Sequence, residues 1–132
     1  GCACGNVRYE IDAVPTEVVH CHCGICRRSS GAAFVTWATF PVASFVWSRG
    51  KPMERASSEA AKRTFCGGCG TQLTFGEDRL SETVDVTVGS LDSPELFPAD
   101  QHIFVSALLP WLEVDALLPR FTGAHPREST AG

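Results

Sequence analysis

Apolar residues recur at every second position along short stretches of this chain, which is the spacing of strands. In residues 6–11, Val7, Tyr9 and Ile11 alternate with Asn6, Arg8 and Glu10. Residues 83–88 alternate strictly, with Val84, Val86 and Val88 on one side. Residues 33–40 and 44–47 are rich in aromatic and β-branched side chains and predict two more strands, divided by Pro41. Residues 17–20 run extended, and residues 102–106 form a further strand. Residues 62–66 and 72–76 read as the arms of a hairpin. Turns fall at 14–16 and 89–94, around Pro15, Gly89 and Pro94. Arg27, Arg28, Ser29 and Ser30 read as one helical turn stopped by Gly31. Residues 51–61 are polar and read as loop with a short helix. Residues 122–132 carry little apolar content and read as a loose tail, leaving 1–121 as the folded unit. Short strands punctuated by turns place the chain in the all-β or mostly β class.

Bulk properties narrow the function classes. At 132 residues the chain is long enough for one domain with its own core. Its net charge is −4 and its Lys and Arg residues are scattered, which sets nucleic acid aside as the main partner. No apolar run approaches the roughly 20 residues needed to cross a bilayer, so no membrane partner is expected. No secretory signal is visible, and the expectation is a cytoplasmic protein with reduced cysteines.

The seven cysteines change the picture most. They fall into three tight clusters: Cys2-Ala3-Cys4, Cys21-His22-Cys23-Gly24-Ile25-Cys26 and Cys66-Gly67-Gly68-Cys69. Pairs separated by one or two residues have metal-ligand spacing. In extended backbone, residues i and i+2 point the same way, so Cys2 and Cys4 can share an ion, as can Cys21 and Cys23. His22 then faces the opposite way. Gly67 and Gly68 free the third cluster to make the tight turn of a zinc knuckle. If the triple cluster stays intact, Cys2, Cys4, Cys66 and Cys69 form a closed four-thiolate site that ties the N-terminal segment to the middle of the chain. Other pairings strand an incomplete pair. Cys21, Cys23 and Cys26 then hold a second ion with one position open, and an open position is where zinc does chemistry. The expected complement is two Zn²⁺ per chain, one structural and one catalytic. Disulfides compete with this reading. However, an odd number of cysteines leaves one over, and a single intervening residue closes a small, strained ring. The usual iron–sulfur spacings are not matched.

Three thiolates around Zn²⁺ leave the open site net negative. Such an ion activates water weakly and suits another sulfur ligand. A substrate thiol is therefore expected in the fourth position, losing its proton there before attacking an aldehyde held beside it. Arg27 and Arg28 directly follow Cys26 and are candidates to offset the charge or to bind carboxylates; solvated surface charge is the plainer role. Phe34 and Trp37 are candidates to line a pocket, with core packing as the plainer role. His22 is a candidate base or outer hydrogen-bond donor, against an ordinary polar contact. His102 opens an apolar strand and reads as a satisfied structural histidine. His20 could close the open position only under strain. No serine triad, phosphate-binding glycine loop or dinucleotide fingerprint is present.

With the residues flanking the cysteines included, the chain resembles the family of glutathione-dependent formaldehyde-activating enzymes and centromere protein V. The matching blocks are Gly1-Cys2-Ala3-Cys4-Gly5-Asn6-Val7-Arg8-Tyr9-Glu10, Cys21-His22-Cys23-Gly24-Ile25-Cys26-Arg27-Arg28 and Phe34-Val35-Thr36-Trp37. Phe65-Cys66-Gly67-Gly68-Cys69-Gly70-Thr71, Val88-Gly89-Ser90-Leu91-Asp92, His102-Ile103-Phe104-Val105 and Pro110-Trp111 follow in order. The resemblance runs over roughly residues 1–121. One departure is Asp115-Ala116-Leu117-Leu118-Pro119-Arg120-Phe121, where the family usually has a shorter Asp-Gly-Leu-Pro. The resemblance implies a β-tent, small antiparallel sheets stapled by zinc. It implies structural zinc at the first and third clusters and catalytic zinc at Cys21, Cys23 and Cys26. The implied activity is condensation of glutathione with formaldehyde to S-hydroxymethylglutathione, a carbon–sulfur lyase-type reaction. A small thiol such as glutathione and an aldehyde are the expected partners. The alternative is a non-catalytic, zinc-stabilised binding module in which the middle cluster is a second staple, marked by a fourth protein ligand.

Overall fold

The alternation of apolar and polar side chains carries through to the backbone. The computed structural model describes residues 1–124. Its strands and helix follow in the order β1 (Arg8–Ile11), β2 (Glu17–Cys21), α1 (Gly24–Ser30), β3 (Val35–Pro41) and β4 (Phe45–Arg49). After these come β5 (Met53–Ser58), β6 (Ala61–Phe65), β7 (Gln72–Glu77), β8 (Thr83–Thr87) and β9 (Gln101–Ile103), with short 3₁₀ turns between elements. The fold is mostly β, as the sequence predicts. Seven strands form one sheet in the order β5-β6-β7-β8-β3-β2-β9, and β1 and β4 pair as a separate antiparallel ribbon. Neighbours in the large sheet are antiparallel except β2 and β9, which are parallel.

The two-residue period sorts side chains into two cores. Val18 of β2 and Ala38 and Phe40 of β3 join one; Val19, Cys21, Val35 and Trp37 join the other. The first core includes Val7 and Tyr9 with Phe45 and Trp47 of the ribbon, and it encloses Cys2 and Cys66. The second packs Ile103 with Cys21 and Cys26. Each core thus takes in cysteines of one group, although Cys4 and Cys69 of the first group stay exposed. A register shift between Thr64 and Phe65 sets the second side. Because of it, Leu73 and Phe75 of β7 enter different cores although they are two residues apart. Arg63 and Phe75, which face each other across β6 and β7, turn toward Cys26.

Three expectations need correction. Residues 51–61 contain strand β5 rather than a short helix. It is an edge strand with nearly all side chains exposed, so no apolar face marks it; charged side chains and a register shift near its end suit an edge open to solvent. The strand expected over 102–106 stops at Ile103, because Phe104 turns into the left-handed region (φ 55°) and a 3₁₀ turn follows. The helical turn begins earlier than expected, at Gly24, where Cys23 is the N-cap. Its end at Gly31, in the left-handed conformation, is as predicted. Of the tail expected over 122–132, residues 125–132 lie outside the described residues. No described helix is long and apolar enough to cross a membrane.

Gly50 closes the ribbon at φ 68°, and a Cβ there would run into the Asn6 carbonyl. Gly50→Ala should lower stability by about 1–3 kcal/mol. A denaturation midpoint equal to that of the parent chain would contradict this close approach.

Candidate metal centres

Cys2 and Cys4 sit in a tight loop held by Cys2 N–H on Val7 O (2.9 Å) and Gly5 N–H on Cys2 O (3.1 Å). Cys66 follows β6, and Cys69 lies in a turn closed by Gly70 N–H on Cys66 O (2.8 Å). Gly70 has φ 80°, which explains the glycine after the ligand pair. The four sulfurs all lie within 4.8 Å of one another. Cys2 to Cys4 is 3.5 Å and Cys4 to Cys66 is 3.8 Å. A tetrahedral zinc with Zn–S near 2.3 Å places its sulfurs about 3.8 Å apart, so donor set and spacing both fit Zn²⁺. Backbone and hydroxyl donors favour the thiolate forms of Cys2 and Cys69, whereas the neighbouring Cys2 sulfur helps push Cys4 up to about 11. Val7 N–H donates to Cys2 Sγ (3.2 Å) and lowers that thiol's pKa. Thr71 Oγ1 accepts from Ala3 N–H (3.0 Å) and donates to Cys69 Sγ (3.2 Å), which helps bring Cys69 down to about 5. One hydroxyl therefore links the two ligand pairs.

The second group is assembled at the junction of β2 and α1. Cys21 ends the strand, Cys23 caps the helix by accepting Cys26 N–H (3.3 Å), and Cys26 lies in the first turn. Cys21 Sγ donates to Cys26 Sγ at 3.5 Å, again close to zinc-ligand spacing, and the thiol set fits the same metal. Among the described residues no fourth His, Cys, Asp or Glu atom joins this group. Arg63, only 5% exposed, donates from Nη2 to Cys26 Sγ (3.5 Å). Its guanidinium lies 4.8 Å from the Phe75 ring centre and 5.9 Å from that of Trp37. Hydrogen bonds from Cys21 and Cys23, joined by the Arg63 charge, hold the Cys26 thiol down to about 2. Hydrogen bonding with Cys23, then with Cys26, and burial push the Cys21 thiol up, so negative charge is favoured on Cys26 over Cys21.

The three sulfurs border a cavity of about 240 Å³. Trp37, Phe75, Ile103 and Phe104 form its apolar wall, and Glu17, Glu77 and Asp85 line it with carboxylates. The left-handed backbone of Phe104, a conformation that costs about 1–3 kcal/mol in a non-glycine residue, lies at this wall. A wider cleft of about 900 Å³ beside the ribbon has no cysteine in its lining.

The sequence model of the family described as glutathione-dependent formaldehyde-activating enzyme matches residues 1–107. The chain belongs to this family. No curated protein matches it. Among solved structures it is similar to the crystal structure of a Rhodobacter sphaeroides protein, with a TM-score of 0.58 at 22% identity. That likeness covers 92% of this chain and 96% of the other, and it shows a shared fold.

For a member of the glutathione-dependent formaldehyde-activating family, the site divides the sequence candidates clearly. Trp37 lines the cavity beside Cys21, Cys23 and Cys26. Phe34 does not; it packs against His20 (4.9 Å) and His22 (5.3 Å). Arg27 donates to Ala107 O (3.3 Å), and Arg28 is exposed on the helix. His20 Nδ1 pairs with Thr36 Oγ1 (2.8 Å) and takes no part in the cysteine group. His22 is fully buried, and its Nε2 lies 3.0 Å from His102 Nδ1. His102 Nε2 is 2.9 Å from the Asp115 carbonyl. A carbonyl only accepts, so His102 carries its proton on Nε2 and accepts from His22 Nε2–H through Nδ1. Burial, then the neighbouring His102, lowers the His22 pKa to about 4. His22 is thus a neutral member of a histidine pair rather than a base at the cavity.

Arg63 was missed in the sequence. The available signal was strand parity: Arg63 shares a face with Ala61, and both are buried. Nothing local distinguished it from the exposed Lys62 beside it.

Proposed function

We propose that the chain is a zinc-dependent enzyme that joins a small thiol to an aldehyde, with glutathione and formaldehyde the pair that family membership favours. One observation carries this reading. The Cys21, Cys23 and Cys26 sulfurs lack a fourth protein donor among the described residues and open onto a cavity. In the reaction the thiol sulfur adds to the carbonyl carbon, the carbonyl π pair moves to oxygen, and that oxygen takes up a proton. Zinc held by these three cysteines would supply a position for the substrate sulfur and favour its deprotonated form. The other tasks fall to side chains. Arg63 offsets negative charge at Cys26, and Trp37 and Phe75 flank its guanidinium. The apolar wall keeps water from the reacting pair and strengthens the local electrostatics. Residues 1–121 form the unit that carries this chemistry.

A small thiol should bind the zinc-loaded protein with release of about one proton. Calorimetry in buffers of different ionisation enthalpy counts that proton. Exchange spectroscopy should show faster interconversion of glutathione, formaldehyde and their adduct than in protein-free solution. Thiol binding without proton release, or an unchanged exchange rate at full zinc loading, would overturn the enzyme reading for this pair. A fourth protein ligand at the second centre would favour the binding-module alternative.

A further inference from the structure

A second cavity, of about 570 Å³, adjoins the cysteine cavity: Ile25, Ser57 and Arg63 line both. Its charge is of the opposite kind. Arg28, Arg55 and Arg63 line it, and no Asp or Glu does. Three arginines around one cavity stand out in a chain of net charge −4. Arg55 Nη2 reaches Ser29 Oγ (3.4 Å), joining the edge strand β5 to α1. The inner wall carries unmet hydrogen-bonding groups. Arg63 is 95% buried by the complement of its 5% exposure, and its Nε and Nη1 have no partner. The buried amide N and O of Gln72, which lines the same cavity, also lack partners. A buried guanidinium with unused donors is costly unless an acceptor completes it.

We propose that this cavity is an anion-binding subsite that holds a carboxylate of the thiol substrate, with Arg63 and Gln72 on its inner wall and Arg28 and Arg55 at its mouth. The inference rests on the proposed thiol chemistry at the neighbouring cysteines and adds the side chains that would select a carboxylate-bearing thiol over a neutral one. The charge of the two cavities sets the direction of binding. The cysteine cavity is lined by Glu17, Glu77 and Asp85; Glu77 is paired with Arg79 (2.8 Å), Glu17 accepts from Gln101 Nε2 (3.1 Å) and Asp85 accepts from Thr39 Oγ1 (2.6 Å). An anionic group is disfavoured among carboxylates and beside a thiolate cluster. It is favoured on the arginine side, where planar forks match a carboxylate in geometry as well as charge. Arg63, shared by both cavities, fixes how close the carboxylate end lies to the sulfur end.

The test compares glutathione, its diethyl ester and S-methylglutathione on the zinc-loaded full chain by calorimetry. Glutathione should bind at least about tenfold more tightly than the diester. The double substitution Arg28→Gln with Arg55→Gln changes two exposed side chains and should preserve the fold and both zinc ions. It should weaken glutathione about tenfold or more and leave the diester nearly unchanged. S-methylglutathione keeps the carboxylates without a free thiol, so its binding should show the same dependence on the arginines. Equal affinities for glutathione and diester, or a double variant that binds glutathione like the parent, would overturn the subsite. Arginine-dependent binding without any acceleration of aldehyde exchange would leave the subsite standing and sink the thiol–aldehyde reading instead.

Discussion

Cys66→Ala should leave the chain unfolded or collapsed without a cooperative thermal transition. Cys66 is 2% exposed and belongs to the first core with Phe40, Leu73 and Val86. Its sulfur lies 3.8 Å from that of Cys4, so the substitution removes one of four ligands and opens a hole in the core at once. Structural zinc in small domains contributes roughly 10–16 kcal/mol of apparent folding free energy, which matches or exceeds the whole stability of a typical domain, about 5–15 kcal/mol. Losing most of it cannot be absorbed. Far-UV circular dichroism through a temperature ramp reads the outcome. A Cys66→Ala chain that melts cooperatively within a few degrees of the parent would show that the four-cysteine group does not staple the fold.

Cys23→Ala should behave differently, and the contrast is the second large effect. Cys23 is half-buried, sits at a helix N-cap and packs at the edge of the second core rather than inside it. Removing its sulfur loses the cap on Cys26 N–H, worth about 1 kcal/mol, and one of three ligands of the second centre. The sheet and the first centre remain intact. The expected protein is folded, retains about one zinc per chain at the first centre, and accelerates aldehyde exchange little or not at all. Arg63 would then face fewer negative neighbours. Equal loss of thermal stability in Cys23→Ala and Cys66→Ala would assign the middle cluster a purely structural role.

How far the sequence disclosed this arrangement depended on whether a feature was local. Thr83–Thr87 carried its alternation openly because one face meets the first core and the other does not. Spacing favoured the pairing of Cys2 and Cys4 with Cys66 and Cys69 on the condition that the triple cluster stays whole, with other pairings left open, and the structure brings those four sulfurs together. Edge strand β5 was illegible because both its faces are largely solvated, so no period could appear in Met53–Ser58. Strand parity with Ala61 was too weak a signal to mark Arg63, for a different reason. Its burial depends on the register shift opposite Phe65 and on α1 packing nearby, which are long-range facts. The arginines next to Cys26 in sequence were the obvious candidates, but the helix carries Arg27 toward Ala107. The arginine on Cys26 comes instead from β6, thirty-seven residues away. Phe34 shows the same limit. It precedes β3 and packs on the histidine face, while Trp37, three residues on, lines the cavity.

The proposed function requires two metal centres with different fourth positions, and anomalous diffraction at the zinc edge tests this most directly. Two peaks per chain are expected. One should lie among the sulfurs of Cys2, Cys4, Cys66 and Cys69, and the other beside Cys21, Cys23 and Cys26 with a water or an exogenous sulfur as its fourth ligand. A single peak in fully loaded protein, or a second peak whose fourth ligand is a side chain of this chain, would contradict it.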